Sequence, residues 1–261
     1  MKNKAKVISV INLKGGVFKT TTTLSLGYLL SHIYGKRVLL IDNDKQGNLS
    51  KTLKVYDPDD VDTMASIMDM KYSGALIKTS CYEGICVITA NMNLLTANTR
   101  AMMDITSKQQ DRLKRALDFL HVPDVFDYVL IDNAPDINIS IINALAVSND
   151  VIIPMHMDEY SLDGMEILAD QIRSIRDNFN PDLKNVVCLA TDFKKDDVHM
   201  QALEHVKNAG YQVFNQTIRH TDAKPAESTW AKMPLPEYSS RCGASQDYKR
   251  WVMEYLGGEL L

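Results

Sequence analysis

The sequence predicts an α/β fold: one domain over residues 1–261, built on a mostly parallel twisted sheet with helices on both faces. Two observations predict it. Short apolar segments rich in β-branched residues alternate with helical segments from end to end, as they do when helices form the crossovers of a parallel sheet. The strand segments also read as continuous apolar runs, the signature of strands buried on both faces. No internal repeat, low-complexity linker or shift in composition marks a second domain.

Val7–Asn12 is the first strand, five of its six residues being β-branched or small. Two glycines, a lysine and a run of threonines follow, after which Leu24, Leu26, Leu29, Leu30 and Ile33 recur at helical spacing. Gly35 ends that helix, and Arg37–Asp42 forms a second buried strand. Residues 52–105 carry weaker signals: helical spacing over Val61–Met70, a short strand over Gly84–Thr89, and an ambiguous stretch rich in Met and Asn over 91–105. Gln109–Leu120 reads as a helix broken by Pro123, and Tyr128–Asp132 as another buried strand. Helices over Ile137–Val147, Leu162–Phe179 and Val198–Ala209 alternate with strands over Asp150–Pro154 and Asn185–Thr191. Residues 211–240 hold Pro225, Pro234 and Pro236 and read as loop-rich, and Ser245–Leu256 is a closing helix.

Composition bounds the function. An apolar fraction of 45% suffices for a sizeable core, and a net charge of −4 argues against coating nucleic acid through overall charge, though not against a local basic patch. The apolar run after the basic N-terminal residues is too short for a signal peptide or a membrane span. Four cysteines without a paired framework point to a reducing compartment, so the expectation is a soluble, cytoplasmic protein.

Chemistry concentrates where the first strand turns into the first helix. Strand, Gly-rich turn and helix in that order form a phosphate-binding loop, in which main-chain N–H groups turn inward on an anion. The segment K-G-G-V-F-K-T-T supplies Gly15, Gly16, Val17, Phe18 and Thr21 as loop positions. Lys19 reaches the β- and γ-phosphates of a nucleotide, and the Thr20 hydroxyl ligates Mg²⁺. Ligands of parallel sheets sit at the carboxyl ends of the strands, where Asp42, Asp44 and Asp132 also fall. Asp132, closing the apolar run Y-V-L-I-D, suits the aspartate that holds Mg²⁺ through water.

The second lysine, Lys14, directly before Gly15-Gly16 resembles the deviant Walker A loop, K-G-G-x-G-K-T-T, of the ParA/MinD family of P-loop ATPases. I-D-N-D-K-Q-G-N resembles the family's D-x-D-P-Q-G-N, with Lys45 in place of proline. I-D-N-A-P-D resembles its D-x-P-P segment, and I-I-P-M-H-M-D-E-Y-S-L-D-G its I-P-x-Q-x-E-x-x-x-L-x-G segment, with His156 and Asp158 at the Gln and Glu positions. A-E-S-T-W-A-K-M-P and S-R-C-G-A match its closing motifs. The resemblance covers nearly the whole chain, is weakest over 52–105, and points to the short, Soj-like partitioning branch.

The resemblance implies ATP and Mg²⁺ as cofactors and a dimer with nucleotide held between subunits. Lys14 would reach the partner subunit's phosphates, Asp44 would position the attacking water, and Asp42 would support the Mg²⁺ shell. It further implies non-specific DNA binding by the ATP dimer, hence nucleoid association, and a ParB-like centromere-binding protein that stimulates hydrolysis. Lysines and arginines concentrate in the last third, and Arg219, Lys224 and Arg241 are the expected DNA contacts; Lys224 falls close to a DNA-contacting arginine of the family. A MinD-like membrane role would need a basic amphipathic C-terminal helix, whereas Trp251, Val252, Tyr255 and Leu256 read as a core-facing stripe. An iron-cluster role lacks paired cysteines.

Phe18 stands where the family has glycine. Either it adopts a left-handed conformation at a cost of roughly 1–2 kcal/mol, or its Cβ collides with phosphate and the loop reshapes or stays empty. The second outcome would leave a nucleotide-poor binding module that keeps the fold. The sequence leaves both open.

Overall fold

A computed structural model describes residues 5–158 and 161–257, with nothing said of the side chains of 161–163. In chain order the first half comprises β1 (Lys6–Val10), α1 (Lys19–His32), β2 (Val38–Asn43), α2 (Asn48–Thr52), α3 (Met64–Met68), β3 (Lys78–Thr79), β4 (Ile85–Ile88), α4 (Asn93–Met103), α5 (Arg112–Phe119) and α6 (Val122–Val125). The second comprises β5 (Tyr128–Asn133), α7 (Ile139–Val147), β6 (Asp150–Met155), α8 (Ser161–Phe179), β7 (Asn185–Ala190), α9 (Asp197–Asn208), β8 (Gln212–Val213), α10 (Lys224–Ala231), α11 (Leu235–Tyr238) and α12 (Gly243–Tyr255). The strands form one eight-stranded sheet in the order β3-β4-β2-β5-β1-β6-β7-β8. Every pairing is parallel except that of the two-residue edge strand β3 with β4.

Side-chain alternation along the strands builds the two faces. In β2, Leu39 and Ile41 enter a core formed with α3, α4, α5 and α7, while Val38 and Leu40 enter one formed with α1 and α12. A third cluster joins Val151 and Ile153 of β6 to Leu168 and Ile172 of α8. In α12, Trp251 and Val252 are fully buried, so its apolar stripe belongs to the core as the sequence suggests. Among the described residues no helix is long and apolar enough to cross a membrane.

Two regions are more ordered than the sequence suggests. The ambiguous stretch 91–105 contains α4, and the helical spacing over Val61–Met70 narrows to α3, which Thr63 caps by accepting from the Ala65 N–H. Residues 211–240, read as loop-rich, contain β8, α10 and α11. Pro225 and Pro236 lie in the first turns of α10 and α11, where a missing N–H costs nothing and the fixed φ favours the helix. The prolines start helices there rather than break them.

The topology sets the site. β1 lies between β5 and β6, and the chain moves from β1 toward one edge and later toward the other. Such a switch point opens a crevice at the carboxyl ends of the strands. The pairing of β2 with β5 puts Asp42 beside Asp132, and Val10 of β1 flanks Asp132 on its other side.

Candidate functional site

The loop after β1 is braced from two sides. Asn12 donates through Nδ2 to the Pro154 carbonyl (2.8 Å) and accepts from the Lys14 N–H (2.9 Å), anchoring the loop to β6. Thr191, after β7, donates to the Val17 carbonyl (3.3 Å). The Val17 side chain is wholly buried, so this position meets the cleft only through its main chain. Gly16 takes φ 77° and Phe18 φ 64°, both left-handed, and α1 begins at once with no side-chain cap.

This geometry suits a phosphate chain. No hydrogen bond among the described residues is donated by the main-chain N–H of any residue from Gly15 to Thr21. These donors lie in the turn and first helical turn, where the helix dipole favours an anion. Lys19 is buried and its Nζ donates to the Lys14 carbonyl (2.8 Å), a bond that phosphate oxygens can replace. Burial lowers the Lys19 pKa, and the charges of Asp132 and Asp44 oppose that shift.

Beneath the loop, Thr20 Oγ1 donates to Asp132 Oδ2 (2.7 Å) and Thr23 Oγ1 to Oδ1 (3.4 Å). Burial, with the neighbouring Asp42 carboxylate, pushes the Asp132 pKa up to about 8. A hydroxyl on a buried carboxylate of raised pKa is a donor set that a divalent cation satisfies. Asp42, expected to support the Mg²⁺ shell, lies beside Asp132 across the β2–β5 pairing. Its Oδ2 accepts from Ser50 N (2.9 Å) and Oγ (2.6 Å), its Oδ1 from Asp44 N (3.2 Å), and it is fully buried, so it also shapes the turn that carries Asp44. Burial holds its pKa near 7 despite the Ser50 hydrogen bonds.

Asp44 lines a cleft of about 860 Å³ that runs from Gly15–Thr21 to a wall formed by residues 220–235. That wall was not legible in the sequence, because its residues meet the loop only through the fold. Within it, His220 is held between Asp192 (Nδ1 to Oδ1, 2.7 Å) and Asp222 (Nε2 to Oδ1, 3.0 Å), which raise its pKa. The one signal available beforehand was position: Asp192 lies just past the end of a buried strand.

Phe18 takes the left-handed backbone in the folded loop. Its ring lies 5.6 Å from the His156 ring, tilted by 50°, on the side of the loop facing β6. Burial lowers the His156 pKa, so the contact is with a neutral imidazole at pH 7. Lys14 pairs with Asp158, both half-exposed. Glu159 and Tyr160 of the same motif lie outside the described residues.

The three expected DNA contacts differ. Arg219 is committed internally: Nε and Nη2 bind Asp247 Oδ2 (2.6 Å) and Oδ1 (2.7 Å), and that carboxylate is buried. Gly243 leaves the room, since a Cβ there would lie 2.5 Å from Arg219 Cδ. Arg219, expected to contact DNA, thus ties α12 to the strand-end loop while its side chain stays 54% exposed. Lys224 pairs with Glu227 (2.7 Å), and Arg241 stands exposed before α12.

Comparison with known proteins agrees with this arrangement. A family model described as an AAA domain matches residues 5–185. The chain is 32% identical over 249 residues to the sporulation initiation inhibitor protein Soj of Bacillus subtilis, covering 93% of this chain and 95% of that one. It is 29% identical over 262 residues to the chromosome partitioning protein ParA of Caulobacter vibrioides, covering 98% and 96%. Among solved structures it is similar to cobyrinic acid a,c-diamide synthase from Mycobacterium smegmatis with bound ATP analog and magnesium, with TM-score 0.81, 26% identity and coverage of 98% and 97%. A lysine-paired phosphate loop over a threonine–aspartate pair, on this sheet and with these relatives, leaves one assignment: the chain belongs to the ParA/Soj-like partitioning ATPases of the deviant Walker A family.

Proposed function

We propose that this chain is an ATP-dependent, dimerising ATPase that partitions DNA cargo in the cytoplasm. The observation that carries the reading is the convergence of undonated loop N–H groups, the Lys19 ammonium and the Thr20–Asp132 pair at the end of β1. Loop N–H groups from Gly15 to Thr21 bind the phosphates. Lys19 exchanges its bond to the Lys14 carbonyl for a phosphate oxygen. Thr20 and Asp132 hold Mg²⁺, which when bound neutralises charge on the β- and γ-phosphate oxygens. Asp44 orients the water and accepts its proton. Lys14 leaves Asp158 and reaches the nucleotide of a second subunit, adding positive charge where the transition state needs it.

The ATP dimer binds DNA without sequence preference through exposed cations including Lys224 and Arg241, and a ParB-like partner stimulates hydrolysis and releases it. Affinity for DNA should fall steeply with salt.

Calorimetry with ATP·Mg²⁺, light scattering of the complex with AMPPNP·Mg²⁺, and phosphate release test this reading together. The expected results are saturable ATP binding, a nucleotide-dependent dimer, and DNA retention at low salt only with nucleotide. Lys14→Ala should keep ATP binding and lose on the order of 10²–10³ in turnover. No ATP binding at millimolar concentration would overturn the ATPase reading.

A further inference from the structure

The far wall of the cleft holds a set of polar groups that phosphate binding does not use. The cleft, of about 860 Å³, has the phosphate loop at one end and residues 220–235 at the other, with Asp192 beside them. A nucleoside triphosphate held by its phosphates at the loop turns its base toward this wall. Thr21 and Asp192 also line one small adjoining pocket, so the wall begins where the loop ends.

Hydrogen bonds made inside the wall leave it rich in acceptors. His220 sets both ring nitrogens against carboxylates, Nδ1 on Asp192 Oδ1 (2.7 Å) and Nε2 on Asp222 Oδ1 (3.0 Å). As an imidazolium it donates both protons there and keeps none for the cleft. Asp192 Oδ2 accepts no hydrogen bond among the described residues. Ser228 and Thr229 both donate to the Pro225 carbonyl (2.8 and 3.0 Å), so their hydroxyl oxygens are left as acceptors only. Among the described side chains of the wall, Thr221 and Lys232 remain able to donate.

We propose that GTP is a second substrate of this site, alongside ATP, and that Asp192 selects for its base. The inference rests on the nucleotide reading above and widens its substrate class. The two purines differ in what their edges offer. Guanine presents N–H donors on two neighbouring atoms, N1 and N2, beside one carbonyl acceptor. Adenine presents donors on N6 alone, flanked by ring acceptors at N1 and N7. A carboxylate only accepts, so it suits the guanine pair, whereas beside adenine one of its oxygens meets the N1 lone pair. Lys232 or Thr221 supplies the donor for the guanine carbonyl. A polar site discriminates through groups left unpaired with the wrong partner. Asp192 is also held in position, by His220 and by a left-handed backbone at φ 55°. Hydrolysis follows the step proposed for ATP: water, losing its proton to Asp44, attacks the γ-phosphorus, the bond to the β–γ bridging oxygen breaks, and GDP and phosphate leave.

The test is calorimetry of the full chain with AMPPNP·Mg²⁺ and with GMPPNP·Mg²⁺, on wild type, Asp192→Asn and Asp222→Asn. Asparagine keeps the size of the side chain and tolerates the left-handed backbone at 192. Its amide offers one donor and one acceptor, the match for adenine. Asp222, with its side chain 98% exposed, is the control, since its loss also takes a carboxylate from His220. Wild type should bind GMPPNP within about tenfold of AMPPNP and release phosphate from GTP. Asp192→Asn should shift the preference toward AMPPNP by about tenfold or more, and the control should leave it unchanged. Wild type that binds AMPPNP but binds GMPPNP more than about tenfold more weakly overturns this inference and leaves the ATPase reading standing; so does an Asp192→Asn preference equal to that of wild type. Wild type that binds neither analogue overturns the ATPase reading and this inference with it.

Discussion

Replacing Phe18 with glycine restores the residue that the family carries, and the structure predicts that this will not improve ATP binding. Phe18 already sits at φ 64°, ψ 30° in the folded loop, so its left-handed strain of roughly 1–2 kcal/mol is charged to folding rather than to binding. Its ring lies against His156, and the residue lines both the nucleotide cleft and a small pocket with Ile218, Leu235 and Tyr248. Removing a mostly buried phenyl ring forfeits about 100 Å² of apolar burial, near 2.5 kcal/mol at about 25 cal/mol per Å². Glycine further adds about 0.5–1 kcal/mol of unfolded-chain entropy. Relief of strain offsets part of this, and Phe18→Gly should be destabilised by about 1–2 kcal/mol, a fall in Tm of roughly 3–6 °C for a chain of this size.

The same entropy acts on the ligand equilibrium. A looser loop must be ordered when phosphate binds, so the variant should bind ATP·Mg²⁺ equally well or up to about fivefold more weakly. Calorimetry on an Asp44→Ala background keeps turnover out of the measurement, and a thermal melt reads stability. Binding more than tenfold tighter in Phe18→Gly, or detectable only there, would refute the argument and show that the phenyl ring blocks the site.

Asp44→Asn should lower single-turnover hydrolysis by about 10²–10⁴ while leaving ATP affinity within threefold, since in the proposed mechanism the residue orients water rather than phosphate; equal rates would remove Asp44 from the mechanism. Arg219→Ala should cost about 2 kcal/mol in urea unfolding, a buried-pair loss reduced because the guanidinium is half-exposed and Arg250 also reaches Asp247. It should leave the salt slope of DNA retention unchanged, whereas Arg241→Ala should lessen that slope by about one. The raised pKa of His220 fixes a sign: its ion pairs stabilise the fold fully below the unfolded pKa, and that stabilisation disappears as pH rises through the folded one. The stability difference between wild type and His220→Ala should therefore shrink from pH 5.5 to 8.5, and an imidazole titration by NMR with a midpoint at or below 6.5 would contradict the geometry.

What the sequence reveals about this site follows from how local each signal is. Lys19, Thr20 and the loop glycines are contiguous, and Asp132 closes an apolar run, so the phosphate end can be read directly. The wall over residues 220–235 cannot, because its contact with the loop exists only once β7 and β8 extend the sheet. Cations are similarly opaque: Arg219 and Arg241 look alike in the chain, and only the fold shows that the first is ion-paired to Asp247. Asp42 and Asp44 differ for the same reason, the first being closed off by Ser50 and the second left facing the cleft.

The departures from the family pattern show how a pairing can be invisible one residue at a time. Phe18 in place of glycine and His156 in place of glutamine read separately as two defects in a nucleotide loop. In the fold they are one contact, ring against ring at 5.6 Å, joining the phosphate loop to the segment whose Asp158 holds Lys14. Position 18 imposes a left-handed backbone, and an aromatic placed there needs a neighbour to pack against. A histidine kept neutral by burial supplies that neighbour without adding a charge beside the phosphates. The loop is thus altered and supported at once, and Lys14, Lys19, Thr20 and Asp132, to which the proposed chemistry is assigned, keep their places around it.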